Sequence, residues 1–253
     1  MTCTHLTVAF LSISVCHPEP PPERLQRLRG VWVGTLEVGG DLKFIRVEFH
    51  SGVKGTLHLE GAGDLTLVRA SESSSHAYFE MRRGNDEFVF VGTFREGSIT
   101  GSVHHAGQQL PFALYRTLEI DRRLLDAYAG AYGDSRSIED CTDELGWQQL
   151  IYVGRSGGRK ALFPKSEDRF YFGPGYLIPG PIEGTITFLG ATEGRARYLM
   201  VEQAGSEPEV ARRSDSGAVR SRNLHGCRPL RASMKAGRSN RWERQSVHSS
   251  WLE

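Results

Sequence analysis

Cysteine, methionine and tryptophan are scarce, four of each in 253 residues. Four cysteines are too few to read as a small disulfide-built scaffold. Long apolar runs are missing as well. The longest, Leu6–Val15, has about half of the ~20 residues that a bilayer-crossing helix requires, so no transmembrane segment is expected. Charge of one sign is not in excess over the whole chain, which carries a net +1. The glycine patterns G-x-G-x-x-G and G-x-x-x-x-G-K-[ST] do not occur, which removes the usual fingerprints of dinucleotide and nucleoside-triphosphate sites.

Charge is balanced but unevenly placed. Residues 212–253 hold 10 basic and 3 acidic side chains, leaving 21 and 27 for residues 1–211. This last stretch shows neither the two-residue nor the 3.6-residue apolar period and is read as a basic disordered tail. Its arginines are dispersed rather than clustered among aromatics, so nucleic-acid binding is not expected. At the other end, residues 1–29 combine the Leu6–Val15 run with the Pro-rich segment His17–Glu23. They read as a signal-like segment and linker, with export to the periplasm or the cell exterior as the expectation.

Between these ends the two-residue period dominates. Ile45, Val47 and Phe49 alternate with Arg46, Glu48 and His50, and Ala77, Phe79 and Met81 alternate with Tyr78, Glu80 and Arg82. Alternation puts one face in a core and one in water, as in antiparallel sheet. Glycine-containing turns such as Gly39-Gly40, Glu96-Gly97 and Ala106-Gly107 separate the runs. Eight strands are expected over residues 30–117. A hairpin centred on Ser51 would pair Phe49 with Val53, Val47 with Gly55 and Ile45 with Leu57, with Glu48 opposite Lys54. Eight short strands joined by tight turns are best served by closure, which removes exposed edges.

Residues 118–211 form a second unit. Ile120, Leu124, Leu125 and Tyr128 have helical spacing behind Asp121, and strands are expected at Leu150–Val153, Lys160–Phe163, Arg169–Phe172, Ile182–Leu189 and Arg195–Gln203. Both units open on an aromatic-x-glycine step, at Trp32-x-Gly34 and Tyr128-x-Gly130. The fold class is therefore all-β, with two small antiparallel β-barrels in tandem, one short helix between them and disordered termini.

Motifs of catalysis are weak on context. Gly154-Arg155-Ser156-Gly157-Gly158 matches the nucleophile elbow G-x-S-x-G, but lies between two strands with no helix after it, and so reads as a hairpin loop. Ser51-Gly52-Val53-Lys54 matches S-x-x-K but falls in a turn. His104 and His105 are strand neighbours that point to opposite faces, and Cys141 has no nearby cysteine partner, so no metal site is expected. The acidic run Glu139–Glu144 reads as a solvated loop. No catalytic or cofactor-binding residue is assigned, and no cofactor is expected. Trp32, Ile45, Val47, Phe79, Phe88, Phe90 and Phe112 are candidate barrel-lining residues, since an eight-stranded barrel is either filled by side chains or holds one small ligand.

One resemblance bears on function. Trp32-x-Gly34-Thr35-Leu36-x-Val38-Gly39-Gly40, with Gly107-Gln108-Gln109-Leu110-Pro111-Phe112 further on, resembles the lipocalin-like domain at the N-terminus of certain secreted bacterial serine hydrolases of the α/β-hydrolase type. Leu125-x-x-Tyr128-x-Gly130-x-Tyr132, with Leu162-Phe163-Pro164-x-Ser166-Glu167-x-x-Phe170, resembles the lipocalin-like accessory domain beside α/β-hydrolase and β-lactamase-type catalytic domains. The resemblance covers residues 30–211. It implies a non-catalytic accessory region without its catalytic domain. The expected partner is a hydrolase catalytic domain. The alternative is a stand-alone lipocalin-like binder of a small apolar ligand.

Overall fold

The computed structural model describes residues 26–50, 54–142, 148–190 and 195–214, together with the backbone of two short strands near the N-terminus. Those strands, β1 (Cys3–Val8) and β2 (Leu11–Cys16), pair antiparallel within the segment expected to be signal-like. The Pro-rich segment, Ser51–Val53, Asp143 and Glu144, and the basic tail beyond Ser214 lie outside the described residues.

The first unit is a closed eight-stranded antiparallel barrel. Its strands are β3 (Gly30–Val38), β4 (Asp41–Phe49), β5 (Gly55–Leu59), β6 (Gly63–Glu72), β7 (His76–Arg83), β8 (Asp86–Arg95), β9 (Ser98–His105) and β10 (Gln108–Thr117). Each pairs with its neighbour in sequence, and β10 returns to β3 with Leu114 opposite Gly34. Closure leaves no free edge. The β8–β9 and β9–β10 hairpins are two-residue turns in which Glu96-Gly97 and Ala106-Gly107 all take positive φ. That conformation matches the right-handed twist of the flanking strands, and a glycine in the second position lowers its cost.

The β4–β5 hairpin differs from its expected register. Phe49 faces Gly55, Val47 faces Leu57 and Ile45 faces Leu59, a shift of two residues. The same side chains still point inward, because a two-residue slip preserves the face where a one-residue slip would invert it. Glu48 consequently stands opposite Thr56 rather than Lys54, and its carboxylate takes Arg46 at 2.6 Å instead.

The helix α1 (Arg122–Tyr128) comes next. Asp121 caps it, its carboxylate accepting from the Arg123 amide at 2.8 Å. The second unit is an eight-stranded antiparallel, barrel-like sheet of β11 (Gly130–Tyr132), β12 (Arg136–Thr142), β13 (Gln148–Val153), β14 (Arg159–Pro164), β15 (Arg169–Phe172), β16 (Gly184–Leu189), β17 (Tyr198–Gln203) and β18 (Glu209–Arg212). Its two ends meet. Tyr132 bridges Arg213, the Gly133 amide donates to the Arg212 carbonyl at 2.7 Å, and the Ser214 amide donates to the Ala131 carbonyl at 3.0 Å.

The structure departs from the expected pattern in three places. Glu139–Thr142 is not a solvated loop but the end of β12. Glu139 faces Arg159 at 2.7 Å, Asp140 keeps a buried carboxylate oxygen without a hydrogen-bond partner among the described residues, and Cys141 is buried on the outer face. β11, β12 and β18 are additional to the expected strands, and β16 and β17 begin at Gly184 and Tyr198 rather than at Ile182 and Arg195. Cys141, expected to lack a partner, is disulfide-bonded.

Three apolar clusters hold the molecule together. One fills the first barrel and one the second. The third joins the outer faces of both: Val33, Phe44 and Tyr115 of the first barrel pack on Cys141, Ile151, Ala161, Phe163 and Tyr171 of the second. Phe44 stacks on Phe163 at 6.3 Å and Tyr115 lies 5.7 Å from Tyr171. The Leu118 amide and the Thr117 hydroxyl both donate to the Pro164 carbonyl. This explains why Leu150–Tyr152, Ala161–Phe163 and Phe170–Phe172 do not alternate: each is buried on both faces.

Candidate functional site

All seven candidate barrel-lining residues lie in the interior of the first barrel, at 4% exposure or less. Their rings meet one another. Phe79 stacks on Phe90 at 4.4 Å, and Phe112 stands edge-on to Phe90 at 5.3 Å and to Phe79 at 6.3 Å. Phe49, expected on the same face but not among the lining residues, adds an edge contact to Phe79 at 5.2 Å. The second barrel repeats the arrangement, with Tyr128 stacked on Phe188 at 4.0 Å and Phe170 edge-on to Phe188 at 5.5 Å. Such stacked and edge-on contacts are the arrangements that aromatic rings prefer in a packed core.

One end of each barrel is stoppered by an aromatic, an arginine and a backbone carbonyl four residues earlier. In the first, the Trp32 indole N–H donates to the Leu28 carbonyl at 2.6 Å, and the Arg116 guanidinium lies 5.8 Å from the ring while donating to the Arg29 carbonyl at 2.9 Å. In the second, the Tyr132 hydroxyl donates to the Tyr128 carbonyl at 2.8 Å. The Arg213 guanidinium lies 5.7 Å from that ring and donates to the Ala127 and Ala129 carbonyls. Gly30 and Gly130 hold φ of +117° and +155° two residues before the ring. A side chain at Gly130 would strike the Arg213 guanidinium, its Cβ lying 2.8 Å from the nearest nitrogen.

Electrostatics single out buried phenols rather than acids or bases paired for catalysis. Burial pushes the Tyr132 hydroxyl up to about 12, with Arg213 opposing the shift. Burial also drives Tyr171 well above the ordinary phenol value, and its hydroxyl has no hydrogen-bond partner among the described residues. Asp140 is raised by burial and, secondarily, by the charge of Asp126, with Arg122 opposing.

The catalytic motifs do not assemble. Gly154–Gly158 is the β13–β14 hairpin loop, closed by the Gly154 amide donating to the Gly158 carbonyl at 2.9 Å, and Ser156 is exposed. A nucleophile elbow needs a strand-to-helix turn, whereas this loop joins two strands. Of the S-x-x-K match only Lys54 is described, in the segment leading into β5. His105 stacks on Phe88 at 3.9 Å and faces the Glu87 carbonyl at 3.0 Å, while His104 is exposed. Among the described residues no group of His, Cys, Asp and Glu converges to hold a metal ion, and no helix is long and apolar enough to cross a membrane. A shallow open groove of about 520 Å³ lies on the first barrel, bordered by His76, Thr93, Thr100, Ser102, Gln109 and Pro111.

No family model and no curated protein matches the chain.

Proposed function

We propose that this chain is a non-catalytic accessory region, of the kind that lipocalin-like barrels form beside secreted serine hydrolases, and that it acts through its outer surface rather than through its interiors. The observation that carries the reading is the stacking of aromatic rings inside both barrels together with the third apolar cluster between them. The matching stoppers Trp32–Arg116 and Tyr132–Arg213 support a tandem origin for the two units. The disulfide at Cys141 supports export, because such bonds persist in oxidising compartments and are rare in the cytosol.

Two assays on the purified full chain test this. Incubated with nitrophenyl esters, a peptide amide and a chromogenic β-lactam, it turns none of them over. In its native cells it co-purifies with a serine hydrolase that a fluorophosphonate probe labels. Turnover abolished by Ser156→Ala, or co-purification without any labelled hydrolase, would overturn the accessory reading.

A further inference from the structure

The end of the second barrel opposite α1 is formed by four described connections, 133–135, 154–158, 173–183 and 204–208. Arg136 enters β12 there, directly opposite Tyr132, on the face that carries Ile138 into the interior. Its side chain is only 9% exposed, which is unusual for an arginine without full pairing. Its Nη2 pairs with the Glu209 carboxylate from β18. Its Nε is buried and has no hydrogen-bond partner among the described residues.

That half-used guanidinium is the informative feature. Nε and Nη2 form one edge of the planar fork, and a carboxylate fits that edge with both oxygens. Glu209 takes only Nη2 and presents the same oxygen to Arg155 at 3.2 Å. Two guanidiniums therefore share one carboxylate, leaving one positive charge unmatched within the cluster. An orphaned donor on a buried charged group is unfavourable, so a ligand able to satisfy it gains that difference on binding. Tyr152 stands at the same end, buried, with its hydroxyl 3.7 Å from the position a side chain at Gly154 would occupy. Below, Tyr132, Tyr152 and Phe172 close the interior, Tyr152 and Phe172 at 6.0 Å. Lys160, the neighbouring cation, is already committed to the Gly173 and Pro174 carbonyls and to Glu183.

We propose that this end of the second barrel binds a small carboxylate through the Nε–Nη2 edge of Arg136, with Arg155 supplying the second positive charge and Glu209 acting as an internal competitor for the fork. The site is independent of the accessory role proposed above. Its ligand is a compact monocarboxylate or the free C-terminus of a peptide, which share the group recognised.

The test uses the full chain, benzoate as probe and benzamide as its neutral counterpart, read by the arginine Nε–H resonances in a proton–nitrogen correlation spectrum. One Nε–H resonance, absent in Arg136→Lys, shifts saturably with benzoate and not with benzamide. Glu209→Gln removes the competitor and tightens binding roughly tenfold, the scale of one hydrogen bond to a charged group. Arg155→Ala weakens it by roughly two- to fivefold, as befits an exposed pair. A peptide with a free C-terminus reproduces the shift and its amidated form does not if peptides are the source. The proposal fails if benzoate shifts no Nε–H resonance in either the wild type or Glu209→Gln, which also covers a misfolded Arg136→Lys. It fails equally if benzamide or inorganic phosphate binds there as tightly as benzoate.

Discussion

The Arg213 guanidinium sits 5.7 Å from the centre of the Tyr132 ring and at the same time donates to the Ala127 and Ala129 carbonyls. A residue just past the last strand thus fastens the helix end, the first strand and the ring of its barrel in a single contact set. Arg116 does the same for Trp32 and the Arg29 carbonyl in the first barrel.

Arg213→Ala leaves two backbone carbonyls without their charged donor and uncovers the ring. It destabilises the second barrel by ~2–4 kcal/mol, whereas Arg116→Ala, which loses one such bond, costs ~1–3 kcal/mol. Urea unfolding monitored by near-ultraviolet dichroism measures both, and the order of the two losses is the check.

Gly180 touches the face of Tyr115 so closely that a Cβ would lie 2.3 Å from a ring carbon. Gly180→Ala must move that ring out of the cluster that joins the barrels, at a cost of ~1–3 kcal/mol. Ser156→Ala, in the exposed β13–β14 loop, serves as the neutral comparison. Unfolding of Gly180→Ala separates into two transitions, one for each barrel.

The buried phenols give a signed pH dependence. The unfolded chain releases tyrosine protons near the ordinary value of 10.0, while folded Tyr132 holds its proton to about 12 and Tyr171 holds its own well above the ordinary value. The folded state then binds more protons than the unfolded one, so this contribution is complete below pH 10 and is lost as pH rises through the folded values. Alkaline titration with tyrosinate absorbance shows the delayed groups ionising together with unfolding. Tyr171→Phe removes an unpartnered hydroxyl, stabilises the protein by about 1 kcal/mol at neutral pH and flattens the alkaline loss.

Much of this architecture is legible in the sequence because alternation survives where one face meets water. The strands from Gly30 to Thr117 can be read almost to the residue, and Asp121 announces α1. Alternation fixes which face a residue takes, not how far a hairpin slides, so Val53 is the expected partner of Phe49 and Gly55 the real one. It fails where both faces are covered, as at Ala161–Phe163, and where charged residues take strand positions, as at Glu139 and Asp140. The site on Arg136 leaves no trace in the sequence, because its meaning lies in an unoccupied Nε and in Glu209, which comes from the far end of the same sheet.

The filling of the first barrel by aromatic side chains is tested most directly by benzene binding to the wild type and to Phe90→Ala, monitored by protein chemical shifts. Phe90 is 1% exposed and in contact with Phe79 and Phe112, so its truncation leaves a dry apolar void in a core that relaxes only in part. Saturable benzene binding to Phe90→Ala and none to the wild type is the predicted result. Equal binding by the wild type would show a cavity already present and contradict it.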